Sequence, residues 1–308
     1  MEFRQLQYVI QIAAEKNFSR AAEKLHIAQP SLSQQLSKLE KEIGVLLFQR
    51  STNSVELTHA GSVFVEKAQK IIDAAEQLKL EMADISNMRK GKLVIGSLPI
   101  TGSHILPLVL PVFGKKYPNI EVALIEESTA NLEQLASAGR TDISLLTLPL
   151  LEQSLTYETL IEEEICLAIP EMHPLSAHKS SSGILIADLK SEPFIVLKRG
   201  QGFRKIAIDL CEEAGFSPNI VFESSNIETV QSLVAAGMGV AFVPEMMTRP
   251  QGSDFMPGYI RLKRPDGTTP SRTLVIASRK GRYLSKAAEA FISTLSDVML
   301  EYDRARNQ

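Results

Sequence analysis

The residues that most directly suggest a chemistry lie between positions 29 and 41. Read as a helix opening near Pro30, the segment places Leu32, Leu36 and Leu39, followed by Ile43, on one face. The other face carries Pro30, Gln34, Ser37, Lys38 and Lys41, flanked by Ser31 and Ser33, with no Asp or Glu before Glu40. Short hydroxyl and amide side chains hydrogen-bond base edges or phosphates, and lysines neutralise phosphate. A helix start attracts an anion, and Pro30 suits a first helical position. Such a face fits the major groove of DNA. For an isolated helix, a plainly solvated face would be the better explanation, so the argument rests on the surrounding elements.

Phe3, Leu6, Ile10 and Ala13 recur at helical spacing, and residues 17–19 break that helix. Ser19 is placed to cap a short second helix through Leu25, where Ala21 and Ala22 permit close packing. A tight turn over residues 26–29 leads into the polar helix, expected over about 30–40. Residues 44–48 and 55–57 read as short strands around a polar turn. That hairpin would be a wing, with Arg50 able to enter the minor groove. Together, residues 1–58 read as a winged helix-turn-helix.

The run Phe18-Ser19-Arg20-Ala21-Ala22-Glu23-Lys24-Leu25, then Gln29-Pro30-Ser31-Leu32-Ser33-Gln34-Gln35-Leu36, resembles the N-terminal domain of LysR-type transcriptional regulators. Gly44-Val45-Leu46-Leu47-Phe48-Gln49-Arg50 and Leu57-Thr58-His59-Ala60-Gly61 continue the match in order. The resemblance implies that Gln29, Pro30, Ser31, Ser33 and Gln34 meet DNA in the major groove and Arg50 in the wing. Lys38 on the same face is the expected phosphate contact. Many relatives carry further basic residues in the wing; residues 51–56 hold none, which implies weaker wing binding here.

Thr58 can cap a long helix running to about Met88 and stopping near Gly91, a linker over residues 59–90. Its seam, Phe64, Ala68, Ile71, Ala75, Leu78, Met82 and Ile85, alternates steps of four and three. That is a coiled-coil heptad and predicts self-pairing, although packing on its own domain would also use such a stripe. In the family this segment is the dimerising helix.

From residue 91 to 308 short apolar strands alternate with amphipathic helices, the pattern of βαβ units and a parallel sheet. The expected architecture is α/β, with two lobes, one over about 91–161 and 267–308, the other over about 162–266. Prolines 107 and 111 suggest strain or a short start in the helix expected over 105–113. The layout resembles the family's effector-binding domain, itself similar to periplasmic substrate-binding proteins. That resemblance and local polarity place an effector in the interlobe cleft, on Ile100, Thr101, Gly102, Ser103, Ser128, Thr129, Thr147, Phe203 and Arg204. Ser103 and Ser128 could equally cap helices, Phe203 could be core, and Arg204 could pair with Asp209 or Glu212. Some relatives that bind dicarboxylates have arginines where Thr147 and Ser225 stand, so a neutral or singly charged ligand is expected. An arginine reaching the cleft from elsewhere would overturn that expectation.

Composition narrows the alternatives. A net charge of -3 does not announce a nucleic-acid binder. Residues 1–60 hold seven basic residues (4, 16, 20, 24, 38, 41, 50) against six acidic ones (2, 15, 23, 40, 42, 56), so placement must decide. No run approaches the roughly 20 apolar residues of a membrane span, and the start lacks a signal-peptide pattern, so a cytoplasmic protein is expected. Cys166 and Cys211 read as small buried hydrophobes, and no metal or cofactor is expected. Neither a phosphate-binding glycine loop nor a nucleophile elbow is present, which argues against an enzyme. The reading is a regulator of transcription that binds dyad promoter sites on double-stranded DNA as a homodimer or homotetramer. It would respond to a small-molecule effector, with RNA polymerase a further partner. The alternatives are a constitutive regulator with a vestigial cleft, and a small-molecule-binding or enzymatic α/β protein.

Overall fold

The computed structural model describes residues 1–50, 55–85, 91–178, 183–248 and 256–306. The chain forms two compact units, Met1–Met88 and Arg89–Gln308.

In the first unit, α1 (Phe3–Glu15), α2 (Phe18–Lys24) and α3 (Gln29–Ile43) precede a hairpin of β1 (Phe48–Arg50) and β2 (Val55–Leu57) and the long α4 (His59–Ile85). Val9 and Ile12 of α1 meet Ala21, Ala22, Leu32, Leu36 and Leu39 in one core. The two fully buried alanines let α2 and α3 approach closely. Asn17, not Ser19, caps α2: its Oδ1 accepts from the N–H groups of Ser19 (2.9 Å) and Arg20 (3.0 Å). The short amide side chain two residues upstream satisfies both orphan donors, so the helix starts one residue before Ser19. Helix α3 runs a turn beyond the expected Glu40 and ends where Gly44 adopts φ 76°. Thr58 caps α4 as expected, its Oγ1 accepting from Gly61 N (2.8 Å).

In the second unit, β3 (Gly91–Ser97), β4 (Ile120–Glu126) and β5 (Ile143–Thr147) are parallel and linked by α5 (Pro99–Lys116) and α6 (Thr129–Ser137). The fifteen-residue β6 (Leu155–Ile169) then crosses between lobes. Its first half pairs with β12 (Ser271–Arg279), and its second half with β10 (Ala241–Pro244) and β11 (Gly258–Lys263). β7 (Ile184–Leu185) extends β11, while β8 (Pro193–Leu197) and β9 (Asn219–Ser224) form a parallel pair flanked by α7 (Gly202–Glu213) and α8 (Ile227–Ala235). The terminal α9 (Lys286–Arg306) packs on the first lobe, where Phe291 meets Phe113 of α5 at 5.2 Å between ring centroids. Helix α5 passes through Pro107 and Pro111 unbroken. Burial of Ile105, Leu106, Val109 and Phe113 on one side outweighs the two missing N–H donors. No described helix is long and apolar enough to cross a membrane.

Candidate DNA-binding and effector sites

Gln29, Pro30, Ser31, Gln34 and Lys38 are all exposed on α3, with Ser33 half-buried between them. Gln29 Nε2 donates to Ser33 Oγ (2.9 Å), which orders the amide at the helix start. The acids at the far end of the helix are engaged elsewhere. Glu40 Oε1 accepts from the N–H groups of Leu47 (2.7 Å) and Phe48 (3.3 Å), and Glu42 pairs with the N-terminal ammonium. The outward face therefore keeps its lysines and loses most of its anionic competition. A Cβ on Gly61 would sit 2.0 Å from Leu47 O, so glycine lets α4 abut the chain entering the wing. Arg50 belongs to β1, but its side chain, like residues 51–54 of the wing turn, lies outside the described residues.

The seam of α4 divides. Ala68 is buried with Leu6 and Ile72, and Phe64 packs on the same cluster, so both contribute to their own domain's core. Ala75 is half-buried. Ile71, Leu78 and Met82 remain 47%, 58% and 51% exposed, a large apolar expense unless covered. Ile85 ends the helix, with its side chain outside the described residues.

In the second unit the C-terminal ends of β3, β4, β5 and β8 and the first turns of α5, α7 and α8 surround a cavity of about 310 Å³. Ile100, Ser103, Glu126, Thr147, Phe203 and Arg272 are among its lining residues. A neighbouring cavity of about 440 Å³ shares Thr147, Gln201 and Gly202 and reaches Thr129. Between the lobes, Gly202 N donates to Thr129 Oγ1 (3.0 Å). A Cβ on Gly202 would lie 2.7 Å from that oxygen, so the contact needs glycine.

Thr147 is the most telling side chain. It is 4% exposed, lines both cavities, and its Oγ1 has no hydrogen-bond partner among the described residues. A buried hydroxyl left so costs about 1–3 kcal/mol, which a bound ligand could recover. Helix α5 has no side-chain cap, so the N–H groups of Ile100 and Thr101, which follow Pro99 in its first turn, are also donors in waiting, whereas Gly202 N at the start of α7 is held by Thr129.

The structure does not bring all the expected residues to the cavity. Arg204 Nη1 instead donates to Leu197 O (2.5 Å) and pairs with Glu223 (2.7 Å), not Asp209 or Glu212. This fork ties the end of β8 to β9, so its charge is spent on the lobe itself. Thr101 is buried in the first turn of α5, also with an unpartnered Oγ1, and Gly102 lies beneath the Glu126 carboxylate. Ser128 precedes α6 without making a side-chain cap.

An arginine does reach the cleft from elsewhere, so the stated ground for expecting no doubly charged ligand fails. Arg272 is 1% exposed at its side chain, with its guanidinium 5.5 Å from the Phe203 ring. It donates to Glu163 Oε2 from Nε (2.8 Å) and Nη2 (2.7 Å), which neutralises it. Glu126, Gln201, Gly202, Asn226, Glu228 and Arg272 were not singled out from the sequence. A helix start right after a strand flags the loops, but no local pattern marks Arg272, the second residue of β12.

Cys166 and Cys211 are buried and unbridged, and burial pushes each thiol up to about 12. No group of three His, Cys, Asp or Glu that could hold a metal occurs among the described residues.

Comparisons with known proteins match both units. Residues 3–62 match the bacterial regulatory helix-turn-helix protein family of lysR type, and residues 86–300 the LysR substrate binding domain. The HTH-type transcriptional regulator YcgK of Bacillus subtilis is 42% identical, covering 95% of this chain and 93% of that protein. The DNA-binding transcriptional dual regulator OxyR of Escherichia coli is 31% identical over 94% and 93%. Among solved structures, a full-length OxyR variant from Pseudomonas aeruginosa superposes with a TM-score of 0.73 at 29% identity, covering 97% and 94% of the chains. Full-length BenM gives 0.62 at 25% identity, covering 98% of each.

Proposed function

The chain belongs to the LysR family of DNA-binding transcriptional regulators, and from that premise we propose how its two units divide the work. Gln29, Pro30, Ser31, Ser33 and Gln34 read the major groove, Lys38 holds phosphate, and Arg50 reaches from the wing. Ile71, Leu78 and Met82 are the exposed seam through which two α4 helices pair, with Ala75 and Ile85 continuing it. Pairing presents two recognition helices to a dyad site, and further contacts build a tetramer. The protein acts in the cytoplasm, and RNA polymerase is its partner at the promoter.

The effector occupies the cleft at Thr147, Ile100, Ser103 and Phe203, and its binding shifts the lobes between two arrangements and so alters the DNA contacts. The observation that carries this part is the buried Thr147 hydroxyl without a partner, facing two cavities. Several relatives bear the name hydrogen peroxide-inducible genes activator. Thiols buried and pushed up to about 12 are poor nucleophiles at neutral pH, which supports a signal bound without covalent chemistry in this chain.

The test selects bound genomic fragments with the full-length protein at near-physiological salt, with footprinting, alongside a thermal-shift metabolite screen. Protected half-sites about one or more helical turns apart, shifted by a ligand that raises the melting temperature, are the expected result. Sequence-independent binding with and without every stabilising ligand would overturn the proposal.

A further inference from the structure

The cleft holds an uneven set of charges. Arg272, the cation on its floor, is neutralised by Glu163. Two carboxylates on its walls, Glu126 and Glu228, have no hydrogen bond or ion pair among the described residues. Against them stand donors without acceptors: the buried Thr147 hydroxyl and the uncapped first turn of α5.

These groups are ordered by the sheet. Its strands run β4-β3-β5, so Glu126 at the end of β4 and Thr147 at the end of β5 flank the start of α5, which follows β3. At about 4.8 Å per strand the two backbones are roughly 10 Å apart. The Glu126 side chain narrows the gap by leaning over α5, where its Oε1 lies 2.8 Å from the place a Cβ on Gly102 would take. A negative group and a set of N–H and O–H donors therefore face one small space, with Glu126 and Thr147 on either side of the start of α5.

We propose that the effector is a small zwitterion of the amino-acid class, with its carboxylate on Thr147 and the first turn of α5 and its ammonium on Glu126. The proposal rests on the effector reading above. A bare carboxylate would find the donors but also the Glu126 charge beside them. A bare amine would satisfy Glu126 and leave the buried Thr147 hydroxyl unmet. A ligand carrying both groups a few bonds apart answers both demands. The cavity of about 310 Å³ suits a molecule of that size, lying near the lower end of the roughly 300–1,000 Å³ range of ligand pockets.

The experiment uses full-length protein and matched probes: the common α-amino acids, β-alanine and 4-aminobutyrate, their des-amino carboxylic acids, and the corresponding amines. Thermal shift identifies binders, and calorimetric titration measures them. The expected result is one or more amino acids binding at least about tenfold more tightly than both the matched acid and the matched amine. That factor is the scale of one charge-assisted hydrogen bond. Glu126→Gln should erase the preference over the des-amino acid, and Thr147→Val should weaken both. Glu126 is exposed and its carboxylate has no partner among the described residues, and an effector-domain melting transition kept in the ligand-free Glu126→Gln protein verifies that it folds. A des-amino acid binding as well as its amino acid, unchanged affinity in Glu126→Gln, or no binding by any amino acid overturns the proposal. If other metabolites then bind and Thr147→Val weakens them, the effector reading survives alone; if no small molecule binds, both fail.

Discussion

Replacing Arg272 by methionine isolates the floor of the cleft. The substitution preserves length and apolar volume but removes both donors to Glu163 Oε2, leaving that carboxylate 3% exposed with only the Met246 N–H on Oε1. A buried charge stripped of its partner costs about 3–5 kcal/mol. Domains of this size lose about 2–4 °C per kcal/mol, so the transition of the effector domain should fall by about 6–20 °C. Scanning calorimetry of the full-length protein reads it, with the DNA-binding unit as an internal reference. Adding Glu163→Gln removes the stranded charge while keeping an acceptor for Met246 N, so the double variant should regain most of the loss. The reasoning is refuted if Arg272→Met costs under about 1 kcal/mol, or if the double variant loses the sum of the two singles.

Four further outcomes are expected. Gly61→Ala forces a Cβ to 2.0 Å from Leu47 O, so the DNA-binding unit should lose about 1–3 kcal/mol and operator affinity with it, read by melting and by gel shift. Gln34→Ala should lose discrimination between sites, whereas Lys38→Ala should weaken all sites alike and flatten the salt dependence; equal nonspecific losses would remove Gln34 as a base reader. Because Cys166 and Cys211 hold protons up to about 12 when folded but only to about 8.5 when unfolded, their stabilising contribution is complete below 8.5 and is lost as pH rises toward 12. Unfolding titrations at rising pH should show that slope, and replacing both by alanine should flatten it. Gly202→Ala must displace Thr129, so effector affinity should fall with little change in melting temperature, and Thr129→Ala should partly restore it; a variant that binds normally would deny the interlobe bond a role.

The DNA-binding unit was legible because its elements are local. Leu32, Leu36 and Leu39 reveal their helix by spacing alone, and the polar face opposite follows from it. The Asn17 cap was missed because Asn17 and Ser19 are both good capping residues, and only backbone geometry chooses between them. In the second unit the parallel strands around residues 93, 122 and 145 announced themselves as apolar runs. The first half of β6, Thr-Tyr-Glu-Thr-Leu-Ile-Glu-Glu-Glu over 156–164, did not, because it is mostly exposed or half-buried there and its acids hide the pattern. Ile100, Ser103, Thr147 and Phe203 were found because they follow strands or open helices; Arg272 and Glu163 were not, because their pairing spans 109 residues of sequence.

What local pattern cannot supply is the commitment of each charge. Counted in sequence, Glu40 and Glu42 spoil a DNA-binding helix, Arg204 offers the cleft a cation, and Glu126 is one acid among many. In the structure Glu40 holds two backbone N–H groups, Glu42 holds the N-terminus and Arg204 holds Glu223, so none of the three is available to a ligand. Lys38 and Glu126 keep their charges for whatever arrives. Changes at committed charges should therefore register in stability, and changes at free ones in DNA or effector affinity at nearly constant stability. The net charge of -3, which argued against a nucleic-acid partner, sums over both kinds and so describes neither surface.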